Sequence, residues 1–156
     1  MRHAHLDVKG RYHVSATPYP ITLAGGLPVD LRRGTGLAVA VSQWYRLIEI
    51  PNPTEPWKVS TVAYSYSLRQ SNGPEILAYH WHPNLPGSVR YPHLHLEYGA
   101  GISRPEFHRA HLPTGRVALE DFVRLLIESF GVLPERDNWE EDLAASRAEF
   151  EAERTW

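Results

Sequence analysis

Cysteine is absent from the 156 residues, which excludes a disulfide framework, a thiolate-ligated metal and a cysteine nucleophile. Any metal held by this chain needs His, Asp or Glu. Long apolar runs are missing too. No stretch approaches the roughly 20 residues that cross a bilayer, and Met1-Arg2-His3-Ala4-His5-Leu6-Asp7 lacks the apolar run of a signal peptide. The expectation is a cytoplasmic chain without membrane association. Three chemical signatures are also lacking: a Gly-x-x-x-x-Gly-Lys phosphate loop, a Gly-x-Ser-x-Gly elbow and a His-Glu-x-x-His helix. Kinase-like, hydrolase-elbow and zincin chemistry lose their usual support.

What is present suits one folded domain over residues 1–156. A chain of this length buries more than half of its unfolded surface, and 42% hydrophobic with 22% charged residues is an ordinary globular balance. The 13 prolines and 11 glycines call for many turns. The net charge of −2 conceals an asymmetry, because residues 135–156 hold eight acids and three arginines, leaving ten acids against thirteen bases before them. The body is mildly basic. The tail is acidic, either as a solvated helix face or as a surface for a basic partner.

Residues 1–36 read as irregular, since Pro18, Pro20, Gly25, Gly26, Pro28, Gly34 and Gly36 interrupt every candidate run. Between 37 and 98 the pattern is mainly that of an antiparallel sheet. Leu37 to Ile50 is apolar and aromatic, and Pro51, Pro53 and Pro56 break it. From Trp57 to Arg69, Val62, Tyr64, Tyr66 and Leu68 alternate with Thr61, Ala63, Ser65 and Ser67; after Ser71-Asn72-Gly73, Leu77, Tyr79 and Trp81 alternate with Ile76, Ala78, His80 and His82. This predicts a hairpin. His93 to Tyr98 predicts a third antiparallel strand. In the region 116–156, Leu119, Phe122, Val123, Leu126, Ile127 and Phe130 form a helical stripe closed by Gly131 and Pro134, and Asn138-Trp139-Glu140-Glu141 opens a second helix. Strands followed by helices predict an α+β domain, an antiparallel β-sheet with C-terminal helices packed on one face.

The chemistry centres on His80-Trp81-His82 and His93-Leu94-His95. Residues two apart on a strand share a face, so each pair presents two imidazoles together. On neighbouring antiparallel strands, His82 is expected near His93 and His80 near His95, with Glu97 orienting one ring. Imidazole is the side chain best suited to proton transfer near pH 7 and the commonest metal ligand. One neutral and one protonated ring can cleave RNA through its own 2′-hydroxyl, with no metal and no cofactor. Arg90, Arg109 and Arg116 are candidates for phosphate contact, and His108 and His111 for lining the cleft from a loop. His3 and His5 are expected to be mobile chain-end residues. Three or four imidazoles with a carboxylate also suit a zinc, nickel or iron shell.

The runs Tyr64-Ser65-Tyr66-Ser67-Leu68, Ile76-Leu77-Ala78-Tyr79-His80, Pro92-His93-Leu94-His95 and Leu119-Glu120-Asp121-Phe122 resemble the TumE-like proteins of bacterial toxin-antitoxin pairs. The shared layout is a hairpin, a Pro-His-x-His segment and a short amphipathic helix, over about residues 57–130. That resemblance implies a small toxin acting on RNA and neutralised by an antitoxin encoded beside it. Only His93 and His95 carry over by motif. Two other classes stay open: a noncatalytic accessory subunit that docks through its acidic last helix, and a His-ligated metal-binding protein.

Overall fold

Three apolar alternations become the centre of one eight-stranded antiparallel sheet. The computed structural model describes residues 5–10, 14, 16–32, 35–52, 54, 56–101 and 104–153; His3, Gly34 and Pro53 lie outside them. The strands are β1 (Leu6–Val8), β2 (Tyr19–Leu23), β3 (Val29–Asp30), β4 (Leu37–Glu49), β5 (Trp57–Gln70), β6 (Glu75–Trp81), β7 (His93–Leu96) and β8 (Leu112–Pro113). Their order is β1-β2-β4-β5-β6-β7-β8, with β3 pairing β4 beside β2. The α-helices among the described residues are α1 (Pro105–Arg109), α2 (Leu119–Phe130) and α3 (Trp139–Glu153). The expected α+β architecture, a sheet followed by helices, is the one observed.

The two faces of the sheet separate by residue type. On one, Tyr64, Tyr66 and Leu68 of β5 stand across from Trp81, Tyr79 and Leu77 of β6, and Val39 and Val41 of β4 extend the row. Phe122 and Leu126 of α2 close over them. Tyr64 and Tyr66 stack at 4.8 Å, and Phe122 lies 5.7 Å from Tyr66 and 6.3 Å from Tyr79. The Tyr66 hydroxyl donates to Gln43 Oε1 at 2.6 Å, and Gln43 Nε2 donates to Thr61 Oγ1 at 3.0 Å, so the polar atoms within this face are partnered. Burial raises the Tyr66 phenol above its ordinary range, which keeps it a neutral donor.

α2 is seated by both of its ends. The Val117 N–H donates to the Tyr64 hydroxyl at 3.0 Å, and the Ala118 N–H donates to Asp121 Oδ2 at 3.1 Å, so an N3 carboxylate satisfies the first turn. Gly131 ends the helix at φ 66°, where a residue without Cβ carries no strain. α3 lies against α2 through Arg147 Nε to Asp121 Oδ1 at 3.0 Å and Ser146 Oγ to Glu120 Oε1 at 2.5 Å, with most of its acids in solvent.

One alternation fails. The β4–β5 register slips between Trp44 and Tyr45, so Trp44 pairs Ala63 while Tyr45 pairs Thr61. Val62 is the extra residue of a bulge. It lines a surface pocket with Trp44 and His82 instead of joining Tyr64 and Tyr66, while Thr61 takes its place beside Gln43.

Candidate functional site

The second face of the sheet carries the small residues Ser65, Ser67 and Ala78, and at one end the imidazoles. His80 pairs Ser65 on one side and His93 on the other, while His95 faces Ala78. The expected register is therefore corrected: His80, not His82, stands opposite His93. β7 is two residues out from the alignment that a simple hairpin reading gives, because the 83–92 loop turns within itself through Leu85 N–H to His82 O and Ser88 N–H to Leu85 O.

Convergence survives that shift. Ring centroids lie 5.8 Å apart for His80 and His93, 5.1 Å for His80 and His95, and 4.9 Å for His93 and His95. One ligand nitrogen from each falls within 4.8 Å of the others. His111, which precedes β8, joins from the edge at 5.0 Å from His93 and 4.4 Å from His95. His93 is the innermost ring, only 4% exposed. Its Nδ1 lies 2.8 Å from the Tyr91 carbonyl. A carbonyl can only accept, so Nδ1 carries a proton and Nε2 is the nitrogen left to act as a ligand. His111 is exposed and forms the solvent rim.

His82 stands at the margin, 5.7 Å from His80 and edge-on to Trp44 at 5.7 Å. Beside it opens a pocket of about 460 Å³ lined by Pro18, Trp44, Arg46, Val62, Ala63, His82, Pro83, Asn84 and Leu85. Arg46 Nε is buried without a hydrogen-bond partner. Trp44 and Arg46 were not predicted as site residues. Their sequence signal is the alternation of β4, which sets Trp44 and Arg46 on the face opposite Gln43 and Tyr45.

Several expected contributors lie elsewhere. The Arg116 guanidinium sits 3.6 Å over the Trp81 ring, on the helix-bearing face, because its segment is crossing to begin α2 and Trp81 points away from its two histidine neighbours. It is therefore not a phosphate contact of this cluster. His108 stacks on Tyr98 at 3.9 Å, with Nδ1 3.2 Å from the Leu96 carbonyl, outside the ring group. Glu97 contributes to raising the pKa of Glu75, after burial of that group, and has no described contact with an imidazole. Arg90 is exposed in the 83–92 loop and Arg109 is exposed at the end of α1; neither has a described contact with the rings. His5 is exposed, with its carbonyl accepting from the Ala24 N–H.

Burial, reinforced by neighbouring imidazoles, lowers the pKa of His80 and of His95 to about 4, and lowers that of His82. At pH 7 these rings are neutral bases. His80 and His95 take up protons near pH 6.5 in the unfolded chain and only at about pH 4 in the folded one. Stability is therefore full above about pH 6.5 and falls as the pH drops from there to about 4. For these part-exposed rings the combined loss at pH 5 is about 1–2 kcal/mol after solvent screening. Urea midpoints with a chelator present should be lower at pH 5 than at pH 7, and His80→Gln with His95→Gln should flatten the difference. An undiminished difference in that double variant contradicts the assignment.

Compared with known proteins, the chain matches no family model, no curated protein and no solved structure. Among the described residues no helix is long and apolar enough to cross a membrane.

Proposed function

We propose that this chain is a toxin-like ribonuclease of the cytoplasm, in which the histidine cluster cleaves RNA through the 2′-hydroxyl. The observation that carries the reading is the gathering of His80, His93, His95 and His111 on the sheet face away from α2, with His80 and His95 neutral at pH 7. In the proposed step, His95 takes the 2′-hydroxyl proton while that oxygen bonds to phosphorus. The bond from phosphorus to the 5′-oxygen breaks, and the departing oxygen receives a proton from His111, which solvent can reprotonate. The products are a 2′,3′-cyclic phosphate and a 5′-hydroxyl.

The neighbouring pocket supports the same substrate. Trp44 provides a ring for a splayed-out base, a contact worth about 1–3 kcal/mol per base, and Arg46 provides a guanidinium for phosphate. It takes the role that Arg116 was expected to fill. A basic antitoxin is proposed to dock on the exposed acids Glu140, Glu141 and Glu149 of α3.

The test uses end-labelled single-stranded RNA and the same sequence with one internal 2′-deoxy position. Cleavage is expected in the RNA, ending in cyclic phosphate, and is expected to vanish at the deoxy position. Equal cleavage at that position, or no cleavage of any RNA, overturns the reading.

A further inference from the structure

We infer that His80, His93 and His95 form a seat for one divalent transition-metal ion of the zinc class, with the fourth coordination position open toward solvent beside His111. The ion-binding inference stands without the ribonuclease reading; only the ion's use in RNA cleavage rests on it.

Four observations carry it. The first is convergence: three imidazole nitrogens, one per ring, lie within 4.8 Å of one another. In a tetrahedral centre with metal–nitrogen bonds of about 2.0–2.1 Å, ligand nitrogens lie about 3.3 Å apart, so closure requires each ring to swing by under about 1 Å. The second is orientation. The proton on His93 Nδ1 is donated to the Tyr91 carbonyl at 2.8 Å, and that outer hydrogen bond fixes the tautomer that leaves Nε2 as a ligand.

The third is the scaffold. His80 and His93 are a direct cross-strand pair, His95 lies two residues further along β7, and Ala78 and Ser65 stand opposite His95 and His80. The ligands thus rise from paired strands, and their cross-strand neighbours are small. The fourth is the donor set. Three imidazoles without a thiolate or a carboxylate suit zinc, copper, nickel or cobalt, and do not suit magnesium or calcium, which require oxygen.

His82 and His111 are not ligands of this seat. His82 is turned to Trp44 and His111 is the exposed rim. Three protein ligands with a free fourth position are the arrangement of a catalytic zinc site, where a bound water acidifies to a pKa of about 7. For RNA cleavage, hydroxide on the ion would then take the 2′-hydroxyl proton in place of His95. The ion would also offset phosphate charge.

The experiment strips the purified chain with EDTA and dialyses it against micromolar zinc or cobalt(II). One ion per chain is expected by elemental analysis, with the intense visible absorption of four-coordinate cobalt. His80→Gln and His95→Gln should weaken binding by more than the roughly 10- to 100-fold that loss of an outer hydrogen-bond partner costs. His82→Gln and His111→Gln should retain one ion. Far-UV circular dichroism verifies that each variant is folded. Substoichiometric metal in the native chain, unchanged binding in both ligand variants, or loss of the ion in folded His111→Gln overturns the seat as drawn. Cleavage is scored separately on the same samples. One ion bound with no cleavage of RNA supports the seat and overturns the ribonuclease reading, and cleavage by a chain that binds no ion does the reverse.

Discussion

His95→Gln is expected to lower the rate of RNA cleavage by about 10²- to 10⁴-fold, the usual worth of a positioned proton-transfer group. His95 lies between His93 and His111 and against His80, so three of the cluster's short ring separations run through it. Glutamine keeps a polar side chain on the same strand face but supplies no imidazole base. The half-exposed ring stands on the sheet face opposite Phe122 and Leu126, so the change does not reach the contacts under α2. Initial rates on labelled RNA measure the effect, and growth arrest on expression should disappear in parallel. His108→Gln is the control, because that ring belongs to Tyr98 and the Leu96 carbonyl, and its rate should stay within about threefold of the native chain. A His95→Gln rate equally close to native refutes the assignment of chemistry to this cluster.

Phe122→Ala carries the largest expected effect on stability, about 3–5 kcal/mol. The ring is 1% exposed and wedged between Tyr66 and Tyr79. Its removal leaves a void against stacked aromatics that cannot collapse inward without losing their own contacts. Domains of this kind have total stabilities of about 5–15 kcal/mol, so a large share is lost. Urea unfolding followed by tryptophan fluorescence should show a sharply lower midpoint. Leu133→Ala, at a side chain 56% exposed, should shift it by under about 0.5 kcal/mol. A Phe122→Ala loss below about 1 kcal/mol means that α2 is not the lid of the core.

Much of this was legible in the chain because it is local. The limits of α2, the αL glycine at 131, the Ser71-Asn72-Gly73 turn and the shared face of His80, His93 and His95 all follow from periodicity and residue type. What escaped depends on partners distant in sequence. Val62 left its predicted face because the slip at Trp44/Tyr45 is set by the pairing of β4 with β5, and neither strand betrays it alone. The same slip puts Val62 into the pocket beside Trp44 and His82. Arg116 is near the histidines in sequence, yet the chain crosses the sheet edge between β8 and α2 and takes the guanidinium to the opposite side. The strands of residues 6–30 were hidden among prolines and glycines, because short strands that pair on β4, or for β1 on β2, need little alternation of their own.

β8 is only two residues long, and the one opposite His93 is Pro113. A proline presents no N–H to a newcomer, so at this border of the sheet a further strand meets an incomplete ladder and gains little by attaching. The proline thus guards the histidine border against aggregation: when many copies crowd together, stacking by strand addition is turned away from this end, and the imidazole rim stays wet.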